Sequence, residues 1–181
     1  MAVVDQVKPL AGQAGRSLSG QGIVDAVKAA GVSYVLSVPD ITTSQGVLKR
    51  VAEDRQLKLV RVCKEDECLG IAAGLTYGDK RALILIQHTG FLYALNAIRG
   101  VAVEQKLPMV MMIGLLAKEP DVAPSQSKRY GLRIIEPILD VMGIERIYID
   151  VDADIAKIAP AIDKAYATSA PVALLIGRSP V

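Results

Sequence analysis

The sequence predicts an α/β fold, doubly wound, with a mostly parallel six-stranded sheet and helices on both of its faces. Three observations carry that expectation. Helical and strand periodicities alternate along the chain from about residue 20 to 178. Two strand runs, "ALILIQ" and "PMVMMIG", are apolar on both faces, as strands are when helices cover each side of a parallel sheet. The length, 181 residues, suits one domain, and a 51% hydrophobic content is enough for a sizeable core.

The elements follow in order. Residues 1 to about 18, including "AGQAGRSLSG", are weakly patterned and read as a flexible N-terminal arm, leaving 19–181 as the folded domain. "QGIVDAVKAAG" has a helical stripe, with Ile23, Val27 and Ala30 on one face, and stops at Gly31, a residue suited to a helix end. "SYVLSVP" is a strand halted by Pro39, "TSQGVLKRVAED" a helix and "LKLVRV" a strand. "EDECLGIAAGLTYG" is helical and leads to "ALILIQ"; "FLYALNAIRGVAVEQ" is helical and leads to "PMVMMIG". A loop spans about 115 to 130. "LRIIEPILDVMG" is helical, although Pro137 lacks an N–H and is expected to disturb it. "RIYID" is a strand, "DIAKIAPAIDKAYAT" a helix and "PVALLIG" the last strand. There is no internal repeat, low-complexity run or sign of a second folded domain.

Composition narrows the function. Lys+Arg 21 against Asp+Glu 19 gives a net charge of +2, with no electrostatic footprint for nucleic acid. Aromatics at 4%, with no Trp, supply no base-stacking platform. Two cysteines and one histidine cannot make the usual four-ligand zinc site. The start, "MAVVDQVKPL", lacks the apolar run of a secretory signal, and no uncharged stretch reaches membrane-spanning length. These features predict a cytoplasmic protein with reduced thiols. Cys63 and Cys68 read as small buried hydrophobes.

In doubly wound sheets, ligands bind beyond the carboxyl ends of the strands. The segments at those ends are "PDITTSQG", "KEDE", "QHTG", "GLLAKEP" and "GRSP". None contains GxGxxG, GxxxxGK[ST] or GxSxG, so phosphate-cradling loops and a nucleophile elbow are absent from the sequence. The residues alone leave alternatives open at three places. Glu65, Asp66 and Glu67 suit a solvated first helical turn, where the helix dipole favours acids, or one of them works in a site. His88, the one histidine, suits either a satisfied core position or a ligand-facing strand end. Gly70 and Gly74, four apart, suit packing on the sheet or close approach of another chain.

The stretches "GVSYVLSVPD", "KEDECLGIAAGLTYGDKRALILIQHTG", "LNAI" and "SQSKRYGLRIIEPILDVMGI", in that order, resemble the pyrimidine-binding (PYR) domain of thiamine-diphosphate-dependent 2-oxoacid decarboxylases. The likeness runs from about residue 20 to 178 and is to the sulfopyruvate decarboxylase α subunit and the matching half of phosphonopyruvate decarboxylase. It implies thiamine diphosphate as cofactor, with Glu65 in the place of the family's glutamate. There a carboxylate on the pyrimidine N1′ favours the imino tautomer, whose 4′-nitrogen takes the thiazolium C2 proton. It also implies Thr89, Gly90, Gly114 and Leu115 as cofactor-lining residues. His88, where relatives often carry Asn, would handle a proton or hydrogen-bond a substrate carboxylate. Gly70 and Gly74 would meet another subunit.

The chain departs from the family pattern in three ways. Ile41 stands where the loop usually has Ser, leaving the hydroxyls of Thr42, Thr43 and Ser44 as candidates to face substrate. The family's "SGLGN" becomes "TGFLYA", which brings in Phe91, Leu92 and Tyr93 where a helix begins. There is no GDG…N motif; the one "GD", at Gly78-Asp79, is followed by Lys80. The resemblance therefore implies a separate diphosphate-binding (PP, β) subunit that carries the GDG…N motif and holds most of the Mg²⁺, with no metal site on this chain and a homo- or hetero-oligomeric assembly. Lys128, Arg129 and Arg133 are candidates to meet an anionic substrate or are ordinary surface charges. Two rival functions remain from the sequence: a non-catalytic regulatory or assembly domain of the same fold, and a small nucleotide- or flavin-binding protein, against which the missing phosphate loop counts.

Overall fold

The computed structural model describes residues 17–181. The expected arm therefore lies outside the described residues except for Ser17 and Leu18. Those two are tied down: Leu18 is fully buried, and the Ser17 hydroxyl donates to Asp152.

Six strands form one all-parallel sheet in the order β2-β1-β3-β4-β6-β5. They are β1 (Val32–Ser37), β2 (Lys58–Arg61), β3 (Arg81–Gln87), β4 (Val110–Gly114), β5 (Glu145–Tyr148) and β6 (Val172–Ile176). Alternation along each strand feeds two cores. Leu83, Leu85, Val110, Met112, Leu174 and Ile176 face one layer; Ile84, Ile86, Met111, Ile113, Ala173 and Leu175 face the other. The first layer is α1 (Gly20–Ala29), α2 (Lys49–Glu53) and α8 (Ile158–Thr168). The second is α3 (Glu65–Tyr77), α4 (His88–Tyr93), α5 (Leu95–Ala97), α6 (Tyr130–Arg133) and α7 (Ile135–Val141). This is why the inner strands are apolar throughout. The edge strand β2 instead begins and ends on exposed Lys58 and Arg61, charges that discourage further pairing.

Local chemistry sets the helix ends. Ser19 accepts from the Gly22 N–H and caps α1, whose buried face holds Ile23 and Val27. Gly31 follows the helix at φ +73, a conformation that favours glycine. Pro137 does interrupt the helical run. The chain breaks at Ile134, and Pro137 falls in the first turn of α7, where its missing N–H has no intrahelical partner to lose. Two segments wind more loosely, as π-helix: Ser44–Leu48 ahead of α2 and Ile98–Glu104 after α5.

Phe91 is completely buried in the second core, so the bulk of "TGFLYA" goes beneath α4; of Phe91, Leu92 and Tyr93, Tyr93 alone is largely exposed. The last residues are stitched to the first described ones. Gly20 N–H donates to the Val181 carbonyl at 2.8 Å, and Val181 N–H donates to the Leu18 carbonyl at 2.9 Å. Gly46 lies directly beneath Pro180, where a Cβ would come within 2.1 Å of the Pro180 carbonyl oxygen. Among the described residues, no helix is long and apolar enough to cross a membrane.

Candidate active site

The sheet order reverses between β1 and β3: β1 leads to α2 on one face and β3 to α4 on the other. This creates a crevice at the carboxyl ends of the strands. Glu65 and His88 both begin helices there.

The three acids of "KEDE" have three different situations. Glu67 accepts from the Cys63 and Lys64 N–H groups at 2.9 and 3.3 Å, so it caps its own helix. Asp66 is half-buried rather than solvated, and its Oδ1 is buried with no hydrogen-bond partner. Glu65 leans across to α4. A Cβ at position 90 would lie 2.4 Å from Glu65 Cγ and Oε1, so glycine at 90 leaves the space the carboxylate occupies. Among the described residues, no hydrogen bond or ion pair holds the Glu65 side chain. It is an acceptor seated at a strand end with its bonding capacity open.

His88 is buried at the end of β3. Its Nδ1 accepts from the Leu116 N–H at 3.2 Å, which places the proton of the neutral ring on Nε2. Nε2 faces α6, 3.5 Å from where a Gly131 Cβ would stand. Burial pushes the imidazole below its ordinary value; Arg129 acts the same way, and the Gly114 carbonyl and Asp40 oppose them. His88 is thus a neutral donor near pH 7.

The loop after β1 is organised by Asp40, a residue the sequence reading did not single out. Its carboxylate accepts from the Thr42 N–H at 2.6 Å, from the Thr43 N–H at 3.1 Å and from the Thr43 hydroxyl. The Ser44 hydroxyl donates to the Asp40 carbonyl. Two of the three candidate hydroxyls are therefore engaged in loop structure. The third, Thr42 Oγ1, is buried without a partner. Asp in the segment after a β-strand, followed by two Thr, is the signal for such a loop.

The remaining candidates fall into two groups. Gly90 belongs with Glu65, beside exposed Thr89, whose hydroxyl donates to the Gln87 side chain. Gly114 belongs with the β1 loop, since its Cβ would come 2.9 Å from Asp40 Oδ1. Leu115 is buried and continues the β4–β6 pairing, donating to the Ile176 carbonyl. Leu116 joins the two groups through His88. Arg133 donates to the Ser127 and Lys128 carbonyls, while Lys128 and Arg129 are exposed.

Cys68 is buried, and burial, with Glu65 and Glu67 nearby, pushes its thiol up to about 12, so it is inert. Cys63 is exposed rather than buried, because it sits in the turn that Glu67 caps. A Cβ at Gly70 or Gly74 would meet nothing within 4 Å. That stripe of α3 is open to another chain, not packed on the sheet.

Two features suit an aminopyrimidine: the unengaged Glu65 carboxylate and the space that Gly90 leaves by carrying no side chain. Among the described residues, no cluster of His, Cys, Asp or Glu side chains is placed to hold a metal ion.

Residues 19–125 match the family described as thiamine pyrophosphate enzyme, N-terminal TPP binding domain. The chain is similar to sulfopyruvate decarboxylase subunit alpha of Methanocaldococcus jannaschii, 29% identical over 154 residues, spanning 84% of this chain and 89% of the relative. Subunits of the same description from Methanococcus maripaludis and Methanothermobacter thermautotrophicus are 26% and 27% identical over 95 and 108 residues. Those alignments span 52% and 60% of this chain and 56% and 65% of the relatives.

Proposed function

Because the chain belongs to the thiamine pyrophosphate enzyme N-terminal domain family, we propose that it is the pyrimidine-binding subunit of a cytoplasmic 2-oxoacid decarboxylase of the sulfopyruvate or phosphonopyruvate type. The observation that carries this reading is Glu65, seated over Gly90 with no partner of its own. Thiamine diphosphate, when bound, supplies the acidic thiazolium carbon and the electron sink for decarboxylation. The chain's residues do the rest. Glu65 accepts a hydrogen bond from the pyrimidine N1′ and holds the proton that this nitrogen shares. Its place at the start of α3, against β3 and α4, fixes its direction. His88 keeps its proton on Nε2 and offers it to the carboxylate of the 2-oxoacid. Gly114 and Leu115 close the floor between them.

The diphosphate and Mg²⁺ go to a PP-type β subunit carrying GDG…N. Ile41 and Tyr130, large apolar side chains exposed on segments that begin at this end of the sheet, suit its cover. The relatives' description as alpha subunits supports a two-chain enzyme.

The test is reconstitution. The chain is co-purified with a GDG…N subunit, and CO₂ release is measured from sulfopyruvate and phosphonopyruvate with thiamine diphosphate and Mg²⁺. Glu65→Gln keeps the size and removes the charge, and turnover should fall at least about 10²-fold, the scale of general acid–base effects. Turnover equal to wild type would leave only an assembly role for the chain.

A further inference from the structure

A second cleft, of about 340 Å³, opens where β6 inserts between β4 and β5, lined by Thr42, Leu115, Lys118, Asp150, Gly177 and Arg178. Its polar groups are incomplete. Arg178 Nε and Thr42 Oγ1 are both buried and neither has a hydrogen-bond partner. The Lys118 side chain is 8% exposed, yet its Nζ reaches only the Glu119 carbonyl at 3.4 Å and Asp150 Oδ2 at 4.0 Å. The Asp150 carboxylate is already engaged, since its Oδ1 accepts from the Gly177 N–H at 3.0 Å. Asp121 lies exposed at the rim. Glycine at 177 makes the arrangement possible. A Cβ there would stand 2.3 Å from Asp150 Oδ1 and 2.8 Å from Lys118 Cδ.

Burying a guanidinium N–H and a hydroxyl without partners is costly, and the Asp150 carboxylate, 4.0 Å from Lys118 Nζ, stands beyond hydrogen-bonding distance of that ammonium. A single ligand group answers all three defects: an oxyanion, which accepts from the guanidinium, the ammonium and the hydroxyl together. We propose that this cleft binds a small tetrahedral oxyanion group, a sulfonate, phosphonate or phosphate, through Arg178, Lys118 and Thr42. Two sources carry that chemistry. One is the second acidic group of the oxoacid, and this assignment rests on the function proposed above. The cleft is suitably placed for it, because Leu116 lines the cleft and donates its N–H to His88. The other is a free anion such as phosphate, which needs only this chain.

The experiment begins on the full-length chain alone, titrated calorimetrically with sulfoacetate, inorganic phosphate and, as a single-acid control, acetate. Sulfoacetate or phosphate should bind more tightly than acetate. Arg178→Met and Lys118→Met should each weaken that binding about tenfold or more, the effect of one lost charge-assisted hydrogen bond. Thr42→Val, which keeps the shape, should weaken it less. Wild-type chain that binds neither dianion above acetate overturns the proposal, as do folded Arg178→Met and Lys118→Met chains that bind as wild type. The reconstituted enzyme then separates the sources. A KM for sulfopyruvate raised at least tenfold more than that for pyruvate in Arg178→Met assigns the group to the substrate. Equal changes in both, with anion binding lost in the chain, assign it to a free anion. If no reconstituted complex decarboxylates either oxoacid, the enzymatic reading fails while the titration of the chain still stands.

Discussion

At Gly90 one added carbon decides where Glu65 sits. The atoms it would meet belong to the end of a flexible side chain, not to backbone, so Glu65 can swing aside at little cost. Alanine is also the better helix former by up to about 1 kcal/mol. Gly90→Ala should therefore leave the melting temperature unchanged or slightly raised, while turnover of the reconstituted enzyme falls at least about tenfold; both are read on one preparation. His88 gives a second residue-scale expectation. Its folded state resists protonation, so below about pH 6.5 the unfolded chain takes up a proton first. The stability it contributes is complete above that value and declines as the pH falls through the lower folded value. Since the chain has one histidine, the decline in melting temperature between pH 6.5 and 5 should be shallower in His88→Asn, whose side chain cannot titrate. Equal slopes would show that His88 is not held neutral. His88 drew notice by its position after a strand, whereas Glu65 was separated from Asp66 and Glu67 only by the family resemblance. Asp40, Lys118 and Arg178 were not legible, because their roles rest on bonds to loops distant in sequence or on bonds left unmade.

At the scale of elements, α3 carries two acids with separable duties. Glu67 satisfies two N–H groups of the turn before it. Glu67→Ala should destabilise the chain by about 1 kcal/mol, the usual value of a helix cap, as measured by urea unfolding. Glu65→Gln should move that curve less, by about 0.3 kcal/mol of helix-dipole interaction, because no hydrogen bond or ion pair among the described residues is lost. If the two variants unfold alike, the division of labour is wrong. The strands were the most readable part of the sequence, since a parallel strand between helical layers has to be apolar on both faces, as "ALILIQ" is. Helix onsets were less readable. Helix α4 begins at His88 with no intervening loop, three residues before the expected "FLYALN", because no turn-forming signal other than Gly90 marks it. The π-helical turns and the short 3₁₀ segments Pro124–Gln126 and Asp152–Lys157 depend on tertiary packing, which periodicity does not register.

At the scale of the molecule, the proposed function makes the site one half of a cofactor pocket. The described residues offer the unengaged Glu65 carboxylate beside Gly90 but no cluster of metal-ligating side chains. Calorimetry of the isolated chain with thiamine diphosphate and Mg²⁺ should show weak or no binding, and addition of a GDG…N subunit should restore it. Tight binding by the chain alone would refute a divided site. The open stripe at Gly70 and Gly74 belongs to this scale too, since a Cβ at either would meet nothing within 4 Å and the stripe lies outside the protein's own core. The stitches from Leu18 and Gly20 to Val181 have a different consequence. They bring the two ends of the described segment together, so that its backbone is nearly a closed ring. Linking Val181 to Ser17 and opening the exposed Gly78–Asp79 turn between α3 and β3 should yield a circular permutant that melts cooperatively, with Glu65 and Gly90 now near opposite ends of the polypeptide and still side by side in space.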